Sequence, residues 1–484
     1  MKNYFKRFGQ MSLIAFCIVI FTGGMFVCRG EEELVWYQKN KFLPSDGHDD
    51  SYSGYSVCIN DDHLIVGQPE YLGNYYSGDG PGAVYVYSYS SDGWVEQAKF
   101  TAPGGNIYDG FGYCVAMDSG YLVVGAPYDD QGEIDDCGSV YVFEFDGTSW
   151  VASARIIASD AWEQGRFGNS VSITGDKMIV GAYDSIYFYN LEEESWVENA
   201  KFSREGVWYG SSVSISGDYA IAGAPYSHRS FGVAYVYEYS DGYWSEKAIL
   251  AAADSPLPIR FGESVCICGD SIIVGATGGT GTGDAAVYFF KRDGEQWVKQ
   301  QRIIKESGDF LDYGNSVSIN GNYAVVGTHR PYEAYLYYFD EGTWVEKETL
   351  LPSRYYKDFY VNSVSVTDKG SVLVGAYRDS EVADEAGAAY LFEPGRLEIT
   401  KPAGGEKIVQ GDTYEIQWES LVPRENILIE YSADNGVNWQ ELAVTGDDGS
   451  FQWQVTSEVS NQYLLRISNS QCSDINDVTE HIFS

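Results

Sequence analysis

The chain has 484 residues, of which 70 are acidic and 31 basic, so its formal net charge at pH 7 is −39. This charge argues against nucleic acid as a partner, because phosphate recognition needs a basic surface, and against docking on an anionic membrane. The 54 glycines and 40 tyrosines, with 44% hydrophobic residues, are typical of an all-β protein that buries a core.

The first 30 residues have the pattern of a targeting segment. Lys2, Lys6 and Arg7 give a positively charged start, and an almost wholly apolar run covers Met11–Val27. This pattern predicts a secretory signal peptide. The run also approaches the length of a membrane span, so an uncleaved anchor is an alternative, as is lipidation at Cys28. We therefore expect a secreted, periplasmic or cell-surface protein that contacts a membrane only through this segment, if it stays uncleaved.

One motif recurs along most of the chain. It reads aromatic-Gly-x-Ser-Val-x-Ile, a Gly-Asp-type turn, an apolar run ending Val-Gly-Ala-Pro, a variable loop, Val-Tyr-Val-Tyr and Trp-Val-Glu. The shared Val falls at positions 57, 115, 171, 213, 265, 317 and 364. A period of about 50 residues predicts a propeller or solenoid. Four strand-like runs in each repeat favour a propeller blade.

A second count comes from the Trp that begins the fourth run, at positions 36, 94, 150, 196, 244, 297 and 344. The first Trp precedes the first Val motif, and the last Val motif is not followed by a fourth run that begins with Trp. We therefore predict that residues 33–395 form a seven-bladed β-propeller, with residues 34–44 as the outer strand of the last blade. Such a closure removes open sheet edges, which otherwise promote aggregation.

These repeats resemble the FG-GAP repeats of integrin α-subunits and of related bacterial proteins. Both halves of the motif occur together in two repeats, as Phe111-Gly112 with Gly125-Ala126-Pro127 and as Tyr209-Gly210 with Gly223-Ala224-Pro225. The resemblance implies a seven-bladed propeller and extracellular ligand binding or adhesion. Many family members also carry a calcium loop between the first two strands, but here that connection is a short turn such as Gly175-Asp176. The family's calcium role therefore does not carry over, and we expect no cofactor.

Residues 396–484 lack the repeat and contain short alternating segments separated by polar turns. This pattern predicts a small immunoglobulin- or fibronectin-like β-sandwich, with Trp418 and Trp453 as core residues. The segment Ser432–Trp439 matches the Asp-box pattern S-x-D-x-G-x-x-W of sialidase propellers, which stabilises a hairpin turn. One copy outside the propeller indicates a folding device and not sialidase chemistry. The predicted fold is therefore all-β, a propeller followed by a sandwich.

Six cysteines lie outside the predicted signal segment, and their spacing fits no zinc site. They are Cys58, Cys114, Cys137, Cys266, Cys268 and Cys472. Small buried thiols are the simplest interpretation. If a disulfide forms, Cys114–Cys137 is the most favourable pair.

No catalytic motif occurs in the chain. The five histidines lack metal-ligand spacing, and there is no nucleophile elbow, phosphate loop or dinucleotide fingerprint. Carboxylates are so abundant that most are expected to form a solvated acidic surface. Five of them crowd one loop of the second repeat, where their oxygens suit Ca²⁺. These candidate cation ligands are Asp129, Asp130, Glu133, Asp135 and Asp136.

Tyrosines recur in the variable loops that follow the second strand of each repeat. In a propeller these loops gather on one face, where binding residues concentrate. A ring of Tyr with nearby Asp can stack on sugar rings or anchor a protein, although packing between blades is the alternative explanation. The candidate ligand-binding residues are Tyr71, Tyr128, Tyr183, Tyr226, Tyr332 and Tyr377.

Two functions from different classes remain open. The first is a secreted or cell-surface binding or adhesion protein that recognises a glycan or protein ligand and is not an enzyme. The second is a secreted polysaccharide hydrolase or lyase, which requires a close carboxylate pair or a His cluster at the axial opening. A structural envelope component is a further alternative.

Overall fold

The computed structural model describes most of the chain from Trp36 onward. The described residues are 36–70, 80–90, 93–255, 257–278, 285–305, 312–329, 332–352, 361–402, 409–421, 426–455, 463–469 and 476–479. The predicted signal segment lies outside them, as do Tyr71 and Cys472.

The first described strand is β1 (Trp36–Phe42), which belongs to the closing sheet described below. Three four-stranded sheets follow β1 in chain order. Sheet 1 contains β2 (Ser56–Ile59), β3 (His63–Gln68), β4 (Ala83–Ser90) and β5 (Gly93–Phe100). Sheet 2 contains β6 (Cys114–Asp118), β7 (Tyr121–Ala126), β8 (Ser139–Phe145) and β9 (Trp150–Ile156). Sheet 3 contains β10 (Ser170–Thr174), β11 (Lys177–Ala182), β12 (Ser185–Glu192) and β13 (Ser195–Ser203).

Three further sheets repeat this pattern. Sheet 4 contains β14 (Val213–Ser216), β15 (Tyr219–Ala224), the helical turn α1 (Ser227–Ser230) in a loop, β16 (Val233–Ser240) and β17 (Tyr243–Leu250). Sheet 5 contains β18 (Phe261–Cys268), β19 (Ser271–Ala276), β20 (Ala286–Asp293) and β21 (Gln296–Ile304). Sheet 6 contains β22 (Ser316–Asn320), β23 (Tyr323–Thr328), β24 (Glu333–Asp340) and β25 (Thr343–Leu350). In the described part of the chain, no helix is long and apolar enough to span a membrane.

The closing sheet joins the two ends of the repeat region. It contains β26 (Val361–Val366), β27 (Val372–Ala376) and β28 (Ala388–Pro394), with β1 as its outermost strand. β1 and β28 are antiparallel, in a register that aligns Trp36 with Pro394 and Phe42 with Ala389. The Trp36 indole also donates a hydrogen bond of 2.7 Å to the Gly370 carbonyl.

The innermost strands form a closed ring. Among the described residues, contacts run from β2 to β6, β10, β14, β18, β22 and β26, and β26 in turn contacts β2. Seven four-stranded sheets of the described chain thus surround one axis. This arrangement is a β-propeller, in which every meander presents its first strand to the centre.

Serine side chains connect neighbouring innermost strands. The backbone N–H groups of Val265 and Ile267 in sheet 5 donate to Ser212 and Ser214 Oγ in sheet 4, at 3.0 and 3.1 Å. The ring closes in the same way, because Val57 N donates to Ser363 Oγ at 3.1 Å. An innermost strand has one unpaired edge, so its N–H groups need such partners. The Ser-Val-Ser alternation of the motif therefore satisfies the backbone along the axis.

Both glycines of the motif allow adjacent blades to approach closely. A Cβ at Gly125, in β7, would lie 2.0 Å from the carbonyl oxygen of Gly168 in the next repeat. Gly168 itself has a φ of +89°, a conformation that side chains with a Cβ disfavour. These contacts give a physical reason for the two recurring glycines of the motif.

Aromatic stacking packs the outer part of the blades. Trp244 of sheet 4 lies flat on Phe188 of sheet 3, with ring centroids 4.2 Å apart and planes 15° apart. Trp344 of sheet 6 packs on Phe289 of sheet 5 in the same way, at 4.6 Å. The repeated Trp therefore joins consecutive blades, since stacked rings bury large apolar areas.

The C-terminal region forms two sheets that share one core. The first contains β29 (Arg396–Lys401), β30 (Thr413–Leu421) and β33 (Ser450–Gln454). The second contains β31 (Ile427–Ser432), β32 (Gln440–Thr445), β34 (Leu464–Asn469) and β35 (Asn476–Val478). Trp418, Trp453 and Ile429 are buried in that core. Relationship to immunoglobulin or fibronectin domains stays a prediction.

The proposed disulfide is wrong. Cys114 Sγ lies at the axis, where Val171 N donates to it at 3.2 Å, whereas Cys137 Sγ lies 3.5 Å from the Asp129 carbonyl in a loop. Both are free thiols, as are the other cysteines of the described chain. Burial raises the pKa of Cys114 to about 12 and that of Cys58 to about 11, so these thiols are protonated and unreactive at neutral pH.

Candidate functional site

The predicted tyrosines have different environments. Tyr128 is buried, with 7% of its surface exposed, whereas Tyr183 is 36% exposed. Tyr226 and Tyr377 are partly buried in corresponding loops, and Tyr332 packs against the core of the closing sheet. Tyr71 lies outside the described residues. The predicted single ring of Tyr is therefore not what the structure shows.

Two aromatic series cross this face from blade to blade. In the first, Tyr377, Tyr55, Tyr113 and Tyr128 are consecutive neighbours, with ring centroids 5.5, 4.8 and 5.9 Å apart. The second series, which we call the aromatic row, consists of Trp162, Tyr183, Trp208 and Tyr226, with spacings of 6.2, 6.3 and 4.8 Å. Its two tryptophans are 42% and 45% exposed, so the row offers aromatic surface to a ligand.

A polar cavity of about 480 Å³ opens at the propeller axis. We call it the axial cavity. Its rim includes the residue at the x position of aromatic-Gly-x-Ser-Val in every repeat. These residues are Tyr55, Tyr113, Asn169, Ser211, Glu263, Asn315 and Asn362. Because x precedes the innermost strand, the fold brings seven residues that are distant in sequence to one opening.

A second cavity, of about 270 Å³, lies beside the aromatic row. Tyr183, Trp208 and Arg166 line it, together with four x-position residues that also line the axial cavity. The Arg166 guanidinium lies 5.3 Å from the centre of the Tyr128 ring, which holds the arginine at the edge of the cavity by a cation–π interaction. The aromatic row and the axial cavity therefore form one continuous surface.

Several polar atoms of the axial cavity lining lack hydrogen-bond partners within the described chain. They are Ser211 Oγ, Glu263 Oε2, Thr277 Oγ1 and Asn315 Oδ1. Buried polar groups are normally paired, and each unpaired one costs about 1–3 kcal/mol. Four such atoms around one polar cavity are available to pair with water or with a ligand.

Charged groups of both signs surround this opening. Glu263, Arg260, Asp312 and His329 all line the axial cavity, and His329 Nδ1 lies 3.9 Å from Asp312 Oδ2. Burial raises the pKa of Glu263, with the Asp312 carboxylate adding to the effect and the Arg260 guanidinium opposing it. The site thus combines a desolvated carboxylate with aromatic surface.

The acidic loop of sheet 2 does not gather its carboxylates around a common point. Asp129 is buried and forms an ion pair of 2.8 Å with Arg155, while Asp130 accepts a hydrogen bond from Asp136 N at 2.8 Å. Glu133 and Asp135 are exposed. In the described ranges, no three His, Cys, Asp or Glu side chains are close enough to hold a metal ion. Asp129 and Asp130 are thus engaged in contacts with Arg155 and with the loop backbone, and the cation site stays a prediction.

Sequence reasoning missed the x positions and the tryptophans of the aromatic row. The x positions could have been identified from the sequence, because x is a variable position between the recurring Gly and Ser of the motif. Trp162 and Trp208 lie in loops that lead into the next repeat. The predicted tyrosines lie in other loops, which follow the second strand of each repeat. The proximity of the two tryptophans to Tyr183 depends on the blade geometry.

Comparisons with known proteins agree with this fold. The FG-GAP repeat family matches residues 36–87, 94–143, 150–186, 199–237 and 344–392. The WD40 domain of coronin from Toxoplasma gondii superposes with a TM-score of 0.50 at 10% sequence identity, covering 75% of this chain and 86% of that chain. A putative 6-phosphogluconolactonase from Bacteroides uniformis gives 0.47 at 11% identity, covering 82% and 98%. No curated protein sequence matches this chain.

The coronin likeness concerns the propeller fold alone, because its sequence identity is so low. The repeat matches supply the family, since they fall on strands and glycines of sheets 1 to 4 and of the closing sheet. The chain therefore belongs to the FG-GAP repeat proteins and folds as a β-propeller.

Proposed function

We propose that this chain is a secreted or cell-surface binding protein that recognises a glycan on the aromatic row and in the adjoining axial cavity. The observation that carries the proposal is the row itself, in which exposed Trp162, Tyr183 and Trp208 lie next to a polar cavity. A ligand-binding role suits an FG-GAP propeller. Adhesion through the glycan is the expected use of such a module.

The chemistry of the surface favours a sugar over a flat protein epitope. Exposed aromatic rings offer apolar faces on which a pyranose ring can stack. Asn169, Ser211 and Glu263 line the cavity beside them, and sugar hydroxyls donate and accept hydrogen bonds with such groups. A concave site with a few polar side chains is typical of small-ligand recognition.

The charge of the chain supports a neutral or cationic ligand. A net charge of −39 repels strongly anionic polysaccharides at long range, although salt screens this effect beyond about 8 Å at physiological ionic strength. We assign no reaction to the site and propose binding without turnover.

A glycan array with the purified chain tests this proposal. We expect saturable binding that Trp208→Ala or Tyr183→Ala weakens by roughly two- to tenfold, because stacking on an aromatic ring contributes about 0.5–1.5 kcal/mol. Tyr243→Ala is the matched control, since Tyr243 is 73% exposed on an outer strand and should leave binding unchanged.

Two outcomes would count against the proposal. Equal losses in the Trp208 and Tyr243 variants would remove the aromatic row from binding. Release of shortened oligosaccharides from a bound polysaccharide would instead favour the hydrolase or lyase alternative, for which Glu263 and Asp312 are the carboxylates at the axial opening.

A further inference from the structure

We propose that the axial cavity binds a primary ammonium group, so that the preferred glycan carries free amino groups, as a chain of de-N-acetylated hexosamine does. This inference rests on the proposed glycan-binding function and adds the chemical class of the ligand. It concerns Glu263 and the unpaired polar atoms that line the same cavity.

The unpaired atoms of this cavity are mostly hydrogen-bond acceptors. Glu263 Oε2 and Asn315 Oδ1 only accept, and the Thr277 and Ser211 hydroxyls can do so. Thr277 is 7% exposed, so bulk water reaches it poorly. An ammonium group has three N–H donors and no acceptor, which matches this set.

The orientation of Asn315 strengthens this assignment. Its Nδ2 donates to the Val361 carbonyl at 3.0 Å, and a carbonyl oxygen can only accept. The amide is therefore oriented with Oδ1 as the unpaired atom. A ligand that offered another acceptor, such as an N-acetyl carbonyl, would gain nothing at this position.

Charge distinguishes an ammonium from a neutral hydroxyl. Glu263 is half-buried, with its Oε2 inaccessible and unpaired, and among the described residues no Lys, Arg or His lies within ion-pair distance of it. A counter-charge stabilises the ionised form of a desolvated carboxylate. The Arg260 guanidinium, which also lines the axial cavity, lies over the Tyr226 ring at 5.2 Å. A ligand ammonium can supply the missing charge through charge-assisted hydrogen bonds, which are stronger than neutral ones.

Glu263 also connects the two parts of the site, because it lines both the axial cavity and the cavity beside Tyr183 and Trp208. A sugar ring stacked on the aromatic row can therefore direct an amino substituent toward this carboxylate. The rings would provide affinity for the sugar, and Glu263 would provide selectivity for the amine.

Calorimetric titration with two matched probes tests the inference. The probes are a β-1,4-linked glucosamine tetramer and its fully N-acetylated counterpart, which differ in the charge of the nitrogen. We expect the wild-type chain to bind the amino tetramer at least about tenfold more tightly, the ratio expected for a charge-assisted hydrogen bond. The preference should shrink as salt is added.

Variants separate the carboxylate from the aromatic surface. Glu263→Gln retains the size of the side chain, and we expect it to lower the preference to within about twofold while affinity for the N-acetylated tetramer stays unchanged. Trp208→Ala should weaken both probes. Glu295→Gln, at a carboxylate whose side chain is 88% exposed, is the control and should behave as wild type. Thermal melting checks that each variant is folded.

The outcomes are distinct. Equal affinity of the wild-type chain for both tetramers, a preference for the N-acetylated one, or an unchanged preference in Glu263→Gln would overturn the ammonium site and leave glycan binding intact. Failure to bind either tetramer, with binding to neutral glycans on the array, would also overturn it. Failure of all glycans to bind would refute the proposed function together with this inference.

Discussion

Sheet 2 and the closing sheet contain the same buried group of side chains, assembled in different ways. In sheet 2, Asp129 accepts hydrogen bonds from Ser139 and Tyr141 and pairs with Arg155. In the closing sheet, Asp379 accepts a hydrogen bond from Tyr390 and pairs with Lys41 at 2.9 Å. Both aspartates are buried, at 2% and 0% exposed.

The difference lies in the chain segments that are joined. Arg155 is 26 positions from Asp129, whereas Lys41 is 338 positions from Asp379. The first pair stabilises a loop within one repeat. The second joins β1 to the loop between β27 and β28 and so contributes to closing the ring. The ion pair of sheet 2 therefore joins residues of one repeat, whereas that of the closing sheet joins the two ends of the propeller. We expect loss of the second pair to destabilise the fold more.

Deleting residues 34–44 should have the largest effect. The deletion removes β1, exposes β28 as an edge strand and leaves Asp379 buried without its cation. We expect loss of the cooperative thermal transition in scanning calorimetry, together with aggregation. An unchanged transition midpoint would show that β1 is dispensable and would contradict the closure.

The two aspartates can be compared directly. Asp379→Ala leaves Lys41, whose side chain is 15% exposed, with the 38% exposed Glu381 at 2.6 Å as its counter-charge, whereas Asp129→Ala leaves Arg155 with 38% of its side chain exposed. Removing one partner of a buried pair costs about 3–5 kcal/mol, and partial exposure reduces this cost. We therefore expect the Asp379 variant to lose more free energy of unfolding in urea denaturation.

An exposed pair provides the control for this comparison. Lys369 and Asp61 also connect the closing sheet to sheet 1, at 2.6 Å, but their side chains are 70% and 52% exposed. Lys369→Ala should change the free energy of unfolding by at most about 1 kcal/mol. Equal losses for Lys369→Ala and Asp379→Ala would mean that burial does not determine the strength of closure.

Sheet 2 has a pH dependence of its own through Asp109. Burial raises the pKa of Asp109 to about 6, and the Asp129 and Asp130 carboxylates add to the shift. Between about pH 4 and 6 the native chain therefore binds more protons than the unfolded chain, so stability falls as pH rises through this window.

Asp109→Asn should abolish that dependence. We expect the variant to melt about 3 °C above wild type at pH 7.5 and at the same temperature as wild type at pH 4, because only the ionised carboxylate is penalised. The Asn side chain can still accept the hydrogen bond that Asn106 N donates to Asp109. A constant difference at both pH values would assign the effect to packing and not to ionisation.

The fold was predictable from sequence because each repeated residue has a local physical task. Gly125, Ser212 and Trp244 recur since close approach, backbone satisfaction and ring stacking are needed in each blade. The FG-GAP resemblance and the all-β propeller class are confirmed on this basis.

The candidate site was predictable only in part. Tyr183 and Tyr226 lie in the aromatic row, but Tyr128 is buried and covered by Arg166. The exposure of an aromatic side chain in a loop depends on which residues of the adjacent blade cover it. The repeat period of the sequence does not identify those residues. The Cys114–Cys137 disulfide failed for a related reason, because strand direction and not sequence distance decides where a thiol points.

The serine contacts along the axis have an evolutionary consequence. They join main-chain N–H groups of one repeat to short side chains of the preceding one, as Val265 does with Ser212, and so involve no x-position side chain. The x position has two roles, because Asn169, Asn315 and Asn362 also donate hydrogen bonds to the backbone of the next repeat, at 3.4, 3.0 and 2.8 Å. Sequence drift at the other x positions, such as Glu263, can remodel the axial cavity while the serine contacts keep the ring closed.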